Sequence, residues 1–392
     1  MQAIKGLYRI GYGPSSSHTI APFRIASLYR HKHPGCDEYS ILLGGSLALT
    51  AKGHGTLKII EKALECDRIC FDYDLNTKEN IMNITGTRSG IQYDTWHAFS
   101  LGGGAIKIDE YDAGDLNEVY EANCFEDIKK QISDDPKSLL NYIYSHEPDL
   151  KHYLIDCLNV MFETVDRGLN TEGLINEELK YYRIAKKLYE KATDRKDYLV
   201  AYSYAACEEN ADGGMMCTAP TLGACGILTS LMYYLHFNEL YSDEDLCDLL
   251  AVAGIFGNCI KKNASIAGSE GGCQAEVGTA CSMAAAAIAY KEGYGLKTIE
   301  YAAEMGIEHF LGLTCDPVLG YVIIPCIERN AISILRAYDC AYLAEQLKNV
   351  KDNLISFDSV VNAMNYTGNK LARELKETSL GGLASEFKNE KS

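Results

Sequence analysis

Between Ala264 and Arg329 three cysteines stand beside residues that break regular structure. Cys273 follows Gly271-Gly272, Cys315 precedes Asp316-Pro317, and Cys326 follows Pro325. Glycine and proline interrupt helices and strands and let backbone approach a bound group. Cys315 and Cys326 are eleven positions apart, a spacing that would place both on one face of a straight helix. Pro317, Gly320 and Pro325 lie between them and exclude such a helix. The two are therefore expected at the ends of a bent loop that converges on Cys273. Behind Cys273 runs Ala280-Cys-Ser-Met-Ala-Ala-Ala-Ala-Ile-Ala-Tyr290, a helix of small residues. Cys273 then stands at a helix N-terminus, where free N–H groups favour an anionic sulfur. Three such thiolates suit an iron–sulfur cluster or zinc. Small buried apolar residues are the other reading of the same pattern, since free cysteine is often buried.

Bulk properties narrow the classes. The 392 residues are 47% hydrophobic and 23% charged, as in a globular protein long enough for two domains. A net charge of −17 argues against nucleic acid and against anionic membrane surfaces as partners. No stretch reaches the roughly 18 apolar residues of a membrane span. Fifteen cysteines, with no apolar leader in Met1–Gly13, are expected to be reduced, which places the chain in the cytoplasm.

Pattern divides the chain into an α+β arrangement. Residues 1–140 read as a small α/β domain. A loop over Gly13–Thr19 opens a helix from Ile20 to about Lys32, with Thr19 as its N-cap. Strands are expected over Tyr39–Leu43, Arg68–Asp74 and Ala105–Tyr111, and a helix over Thr56–Glu65. A linker lies within 130–150. Residues 150–385 form a larger all-α domain, with helices near 150–167, 175–193, 197–208, 221–236, 244–262, 273–291, 296–311, 326–348 and 356–375.

The motifs carry a resemblance. Gly13-Pro-Ser-Ser-Ser-His-Thr19, Ser46-Leu-Ala-Leu-Thr50, Gly53-His-Gly-Thr56, Thr218-Ala-Pro-Thr221, Gly271–Gly278, Cys281–Ala286, Thr314–Val318 and Pro325–Asn330 occur in this order. In that order the chain resembles the bacterial iron–sulfur-dependent L-serine dehydratases, over nearly its whole length. The resemblance implies a lyase that eliminates water from L-serine to give pyruvate and ammonia. It implies a 4Fe–4S cluster on Cys273, Cys315 and Cys326, one iron of which lacks a thiolate and acts as a Lewis acid. It also implies His18 as first candidate for the base at Cα and His54 as second. Ser15, Ser16, Ser17 and Thr19 would hold the substrate carboxylate, and Arg329 would pair with a carboxylate of substrate or of Glu328. A small amino acid and a second copy of the chain, as a homodimer, are the expected partners. Two alternatives stay open: the same chemistry on threonine or another β-substituted amino acid, and a zinc protein using the same cysteines. Leu222 and Cys225 depart from the family pattern, so neither Cys217 nor Cys225 is assigned as a ligand. The last cysteine is Cys340, so no thiol of the tail is expected at the open iron, although Thr378–Gly382 matches the family's closing motif and should pack near the site.

Overall fold

The structure is a computed structural model that describes residues 1–391. It is α+β, as expected from pattern: a small sheet with two covering helices lies beside a larger helical body. Strand β1 (Ile10–Tyr12) lies outside the main sheet. The sheet contains β2 (Glu38–Gly44), β3 (Ile69–Asp74), β4 (Ile81–Arg88), β5 (Ile91–Gln92), β6 (Trp96–Ser100) and β7 (Ile106–Ile108). Their order is β3-β2-β4-β6-β7, with β5 paired to β4. Only β2 and β3 run parallel, with Ile41 opposite Phe71, and the crossover between them carries the helix Thr56–Leu64. That helix and Ala21–Lys32 cover one face. Ile25, Tyr29, Ile41, Leu43, Ile60, Ile84 and Trp96 fill the layer between. Burial alternates along β2 and β3, so the opposite face is solvated.

The helical body is arranged around Thr279–Lys291. Every residue from Thr279 to Ala289 is buried. A helix apolar on all sides must be enclosed on all sides, and the helices Cys225–Phe237, Asp243–Asn263, Leu296–Glu308 and Cys326–Leu347 surround it. Its alanines leave room for close backbone approach. The body also contains three short strands, β8 (Leu174–Asn176), β9 (Tyr181–Tyr182) and β10 (Met215–Cys217).

Two local expectations are corrected. The helix expected over 175–193 is a β8–β9 hairpin followed by the short helix Ala185–Tyr189. A tertiary partner decides this: the Glu208 carboxylate accepts the Ile184 and Ala185 N–H groups at 2.8 and 3.2 Å, and buried Arg183 is held by Glu209 and Asp212, each at 2.7 Å. Thr19 is not an N-cap. A π turn, Ser16–Ile20, runs directly into Ala21–Lys32, and the Thr19 hydroxyl donates to the carbonyls of Tyr12 and Ser15.

The first residues cross between the two units. Met1, Ile4, Leu7 and Tyr8 lie in the helical core, as do Phe125 and Ile128 and, from the region read as linker, Leu139 and Ile143. On this packing we propose that residues 21–113 form the α/β unit and that the N-terminal turn belongs to the helical body. β1 pairs antiparallel with β10, Ile10 opposite Cys217. The Gly13–Thr19 loop is therefore mounted on the helical body before the chain enters the sheet.

Phe256 is fully buried between Phe125 and Phe357, with ring centroids 4.5 and 5.0 Å away. Truncation leaves a cavity where three separated segments meet. Phe256→Ala is expected to lower stability by about 3–5 kcal/mol, read from the midpoint of urea unfolding. A loss below about 1 kcal/mol would mean that the three segments repack independently.

Candidate active site

The Gly13–Thr19 loop is held by the helical body and by the sheet. Gly13 N–H donates to Gly214 O at 2.9 Å, Asn210 Nδ2 donates to Pro14 O at 2.8 Å, and Ser100 Oγ donates to Ser17 O at 3.0 Å. Ser15, Ser16, Ser17, His18 and Thr19 are all buried. The π turn aims the His18 ring between the two units. His54 comes from the turn after Ser46–Leu49 and stacks on His18, with centroids 4.2 Å apart and planes 28° apart. Gly53 allows this turn to sit against the cysteine loop: a Cβ there would stand 2.6 Å from Gly320 O.

The hydrogen bonds assign the tautomer of His18. Its Nε2 faces Thr50 Oγ1 at 3.0 Å and Ser46 Oγ at 3.3 Å. The Thr50 hydroxyl donates to Ser46 O, and the Ser46 hydroxyl donates to Asn80 Oδ1. Neither proton remains for the ring, so Nε2 carries the hydrogen and donates. Nδ1 is then the acceptor, covered by Ser15 Oγ at 3.1 Å. His54 differs: its Nε2 lies 3.6 Å from Glu377 Oε1, and its Nδ1 is buried without a hydrogen-bond partner. Burial, with His54 beside it, lowers the His18 pKa to about 4 against the opposing pull of Glu377, so the ring is neutral at pH 7.

Four residues in this shell had no role assigned from sequence. Glu377 comes from the closing segment and reaches Ser15, His18 and His54. Thr50 and Ser46 orient His18. Asn80 accepts from the Ser46 N–H and hydroxyl and donates to Ser269 Oγ at 3.2 Å, which ties the histidine loop to the turn before Cys273. Ser46 and Thr50 lay inside a matched motif. Glu377 adjoined one, but a lone carboxylate near a chain end carries no signal.

The cysteines gather on the other side. Cys273 begins the π turn Gln274–Gly278, and Gly272 before it adopts φ +75°, where a Cβ would meet Leu313 O at 2.7 Å. Cys326 opens the helix Cys326–Leu347. Cys315 pairs with the closing segment: its N–H donates to Leu375 O at 2.8 Å, and its carbonyl accepts from Glu377 N–H at 2.6 Å. The tail thus packs at the site, as its matching motif suggested. Arg329 donates to Thr314 O at 2.6 Å, lies 3.7 Å from Asp316 Oδ1 and reaches the Cys273 sulfur. It braces the cysteine loop and is engaged there.

The donor set was tested for a metal group. Cys157, Cys217, Cys247 and Cys281 donate their thiol hydrogens to main-chain carbonyls. Among the described residues Cys273, Cys315 and Cys326 make no such bond. Burial pushes the Cys273 thiol up to about 11 despite the Arg329 guanidinium, and pushes Cys315 and Cys326 well above the ordinary thiol value. They are electrostatic neighbours of one another. A single zinc ion, with Zn–S near 2.3 Å, needs its sulfurs within about 4 Å of each other. Among the described residues these three thiols do not all lie within 4.8 Å. Glu276, between Cys273 and the helix, is raised to about 8 by burial and by Glu377, so it is protonated at pH 7.

The family model described as serine dehydratase beta chain matches residues 3–69, and the serine dehydratase alpha chain model matches residues 60–384. The chain belongs to the serine dehydratase family. The L-serine dehydratase 2 of Escherichia coli strain K12 is 33% identical, over 98% of this chain and 98% of that one. The L-serine dehydratases of Streptomyces coelicolor and of Helicobacter pylori strain 26695 are each 33% identical, over 96% and 98% of this chain and 97% and 99% of theirs. As a member of the serine dehydratase family the chain is an enzyme, a lyase. Among the described residues no helix is long and apolar enough to cross a membrane.

The state of His18 predicts a pH effect. Its folded pKa of about 4 lies below the ordinary 6.5. Between these values the unfolded chain binds a proton that the native site refuses. Stability is therefore full above pH 6.5 and falls by about 3 kcal/mol as pH drops to 4. His18→Gln removes this titration. The stability of wild type relative to this variant should fall by that amount from pH 7 to 4 in urea titrations. Parallel curves would refute a buried neutral His18.

Proposed function

We propose that this chain is an L-serine dehydratase that converts L-serine to pyruvate and ammonia. One observation carries the reading. A buried, stacked histidine pair shares the Glu377 carboxylate, whose backbone pairs with Cys315, and Cys273, Cys315 and Cys326 donate to no main-chain carbonyl among the described residues, in a chain of the serine dehydratase family. Cys273, Cys315 and Cys326 would hold a 4Fe–4S cluster, which when bound supplies a Lewis acid for the β-hydroxyl, a poor leaving group.

The protein's own residues supply the proton chemistry. The α-hydrogen of serine is weakly acidic, and its removal requires a lone pair aimed into the pocket. The hydrogen bonds favour His54 over His18 for that task. His54 Nδ1 is buried and unpartnered, whereas both nitrogens of His18 are engaged by hydroxyls. Glu377 near Nε2 keeps the hydrogen on that nitrogen and stabilises the imidazolium formed at His54. His18 acts as a rigid backing for the His54 ring. The hydroxyls of Ser16 and Ser17 and the N–H groups of the turn remain to receive the substrate carboxylate. Arg329 orients the cysteine loop. Burial excludes water from the proton on His54, which suits an elimination with no external acid.

Replacement tests these roles. His54→Ala is expected to lower kcat roughly 100- to 10,000-fold with the visible spectrum of the holoenzyme unchanged, and to stop exchange of the α-hydrogen into deuterated solvent. A variant that still exchanges at the normal rate would return the base to His18. Cys→Ser at Cys273, Cys315 or Cys326 is expected to abolish activity and most of the colour, while the same change at Cys66 does neither.

Metal removal gives an independent check. Air exposure followed by chelation should remove absorbance and activity together, and ferrous iron, sulfide and a thiol reductant should restore both. Full turnover after chelation would be incompatible with the cluster.

A further inference from the structure

Glu377 is 4% exposed, yet half of its carboxylate is bare. Oε1 lies 3.6 Å from His54 Nε2, 3.7 Å from His18 Nδ1 and 3.4 Å from Ser15 Oγ, whose single hydrogen it shares with His18 Nδ1 at 3.1 Å. Oε2 is buried and has no hydrogen-bond partner, and neither has His54 Nδ1. Among the described residues no lysine or arginine lies within ion-pair distance of this carboxylate; its only such partners are the two histidines. The backbone is held to present it. Glu377 adopts φ +56°, its N–H donates to Cys315 O at 2.6 Å, and Ser379, also at φ +56°, donates to Pro317 O at 2.7 Å. Left-handed backbone at two non-glycine residues costs energy and persists where surrounding structure imposes it.

A buried carboxylate with a bare oxygen is costly until a cation meets it. The surroundings offer no permanent one, because the hydroxyl network holds His18 as a neutral tautomer. An α-amino acid brings one cation of its own, the ammonium group, bonded to the carbon that loses its hydrogen. A carboxylate beside His54 that grips this ammonium also holds the adjacent C–H close to the His54 ring. We propose that Glu377 is the substrate-binding residue that receives the α-ammonium group and so selects α-amino acids over acids of similar shape without the amine. This inference rests on the dehydratase reading of the site. A divalent cation is the rival occupant, since the ligand atoms of His18, His54 and Glu377 lie within 4.8 Å of one another. The ammonium is favoured because hydroxyls already occupy both ring nitrogens of His18.

The test uses two ligands that lack a leaving hydroxyl and do not turn over, L-alanine and propionate, with binding to the holoenzyme measured by calorimetry. Wild type should bind L-alanine far more tightly than propionate. Glu377→Gln should weaken L-alanine about 100-fold, the effect of removing one partner of a buried charge pair, and leave propionate within about threefold. Glu377→Asp, which keeps the charge on a shorter arm, should fall between and covers the case in which the amide variant does not fold. Equal weakening of both ligands, or unchanged L-alanine binding with reduced kcat, would overturn the proposal. So would a stoichiometric divalent ion beyond the cluster metal that wild type holds and Glu377→Gln loses. The two readings fail separately. L-Alanine selectivity as expected with no keto acid from L-serine would sustain the ammonium site and sink the dehydratase. Pyruvate formation with ligand selectivity untouched by Glu377→Gln would do the reverse.

Discussion

Two main-chain hydrogen bonds carry much of this site: Cys315 N–H to Leu375 O, and Glu377 N–H to Cys315 O. They lay the closing segment alongside the cysteine loop in a parallel bridge. Everything on either side depends on that register. Toward the loop, Asp316 accepts the Leu383 N–H at 2.8 Å and Arg329 braces Thr314. Toward the histidines, Glu377 is delivered beside two stacked rings that come from the first 60 residues. Arg373 reaches farther and donates to Leu75 O and Thr77 O, each at 3.3 Å, so the same segment also touches the sheet unit. The chain's two ends meet at the centre of its chemistry.

Burial sets the charge states there. The same desolvation lowers His18, raises Glu276 and raises the thiols of Cys273, Cys315 and Cys326. Each shift removes a charge. Glu377 is the exception, with its carboxyl held below the ordinary value: burial alone would raise it, and His18, His54 and Ser15 outweigh that. The site is thus a largely neutral pocket with one fixed anion. A net charge of −17 works against an anionic amino-acid carboxylate. Under the proposed function its attraction would rest on oriented N–H groups and hydroxyls at short range, such as those of the buried Gly13–Thr19 turn.

The sheet unit contributes geometry to this pocket. β2 ends at Gly44, and the chain turns at Gly45 into Ser46–Leu49, so Ser46 and Thr50 emerge beneath His18. Asn80, beside the start of β4, closes the arrangement by binding the Ser46 main chain and side chain together. Its amide then reaches Ser269, four residues before Cys273. A short polar chain therefore connects the histidine support to the cysteine turn, and displacement of one unit against the other would break it.

Much of the architecture was legible locally. The helices Asp243–Asn263, Cys326–Leu347 and Thr279–Lys291 follow from apolar patterning, because such patterns must be buried on the faces they mark. The breakers around Cys273, Cys315 and Cys326 located the cysteine turns. The motif order pointed to the family. Other features depended on distant partners. The 184–185 backbone follows Glu208 out of helix, the first eight residues join the helical core, and Thr19 bonds backward to Tyr12. Above all, sequence named two candidate histidines without ranking them by environment and gave Glu377 no role. Which nitrogen is bare, and which carboxylate lacks a cation, is a property of atoms brought together from residues 15, 18, 54 and 377. Periodicity reports which face of an element is buried; only the tertiary structure decides what that face meets.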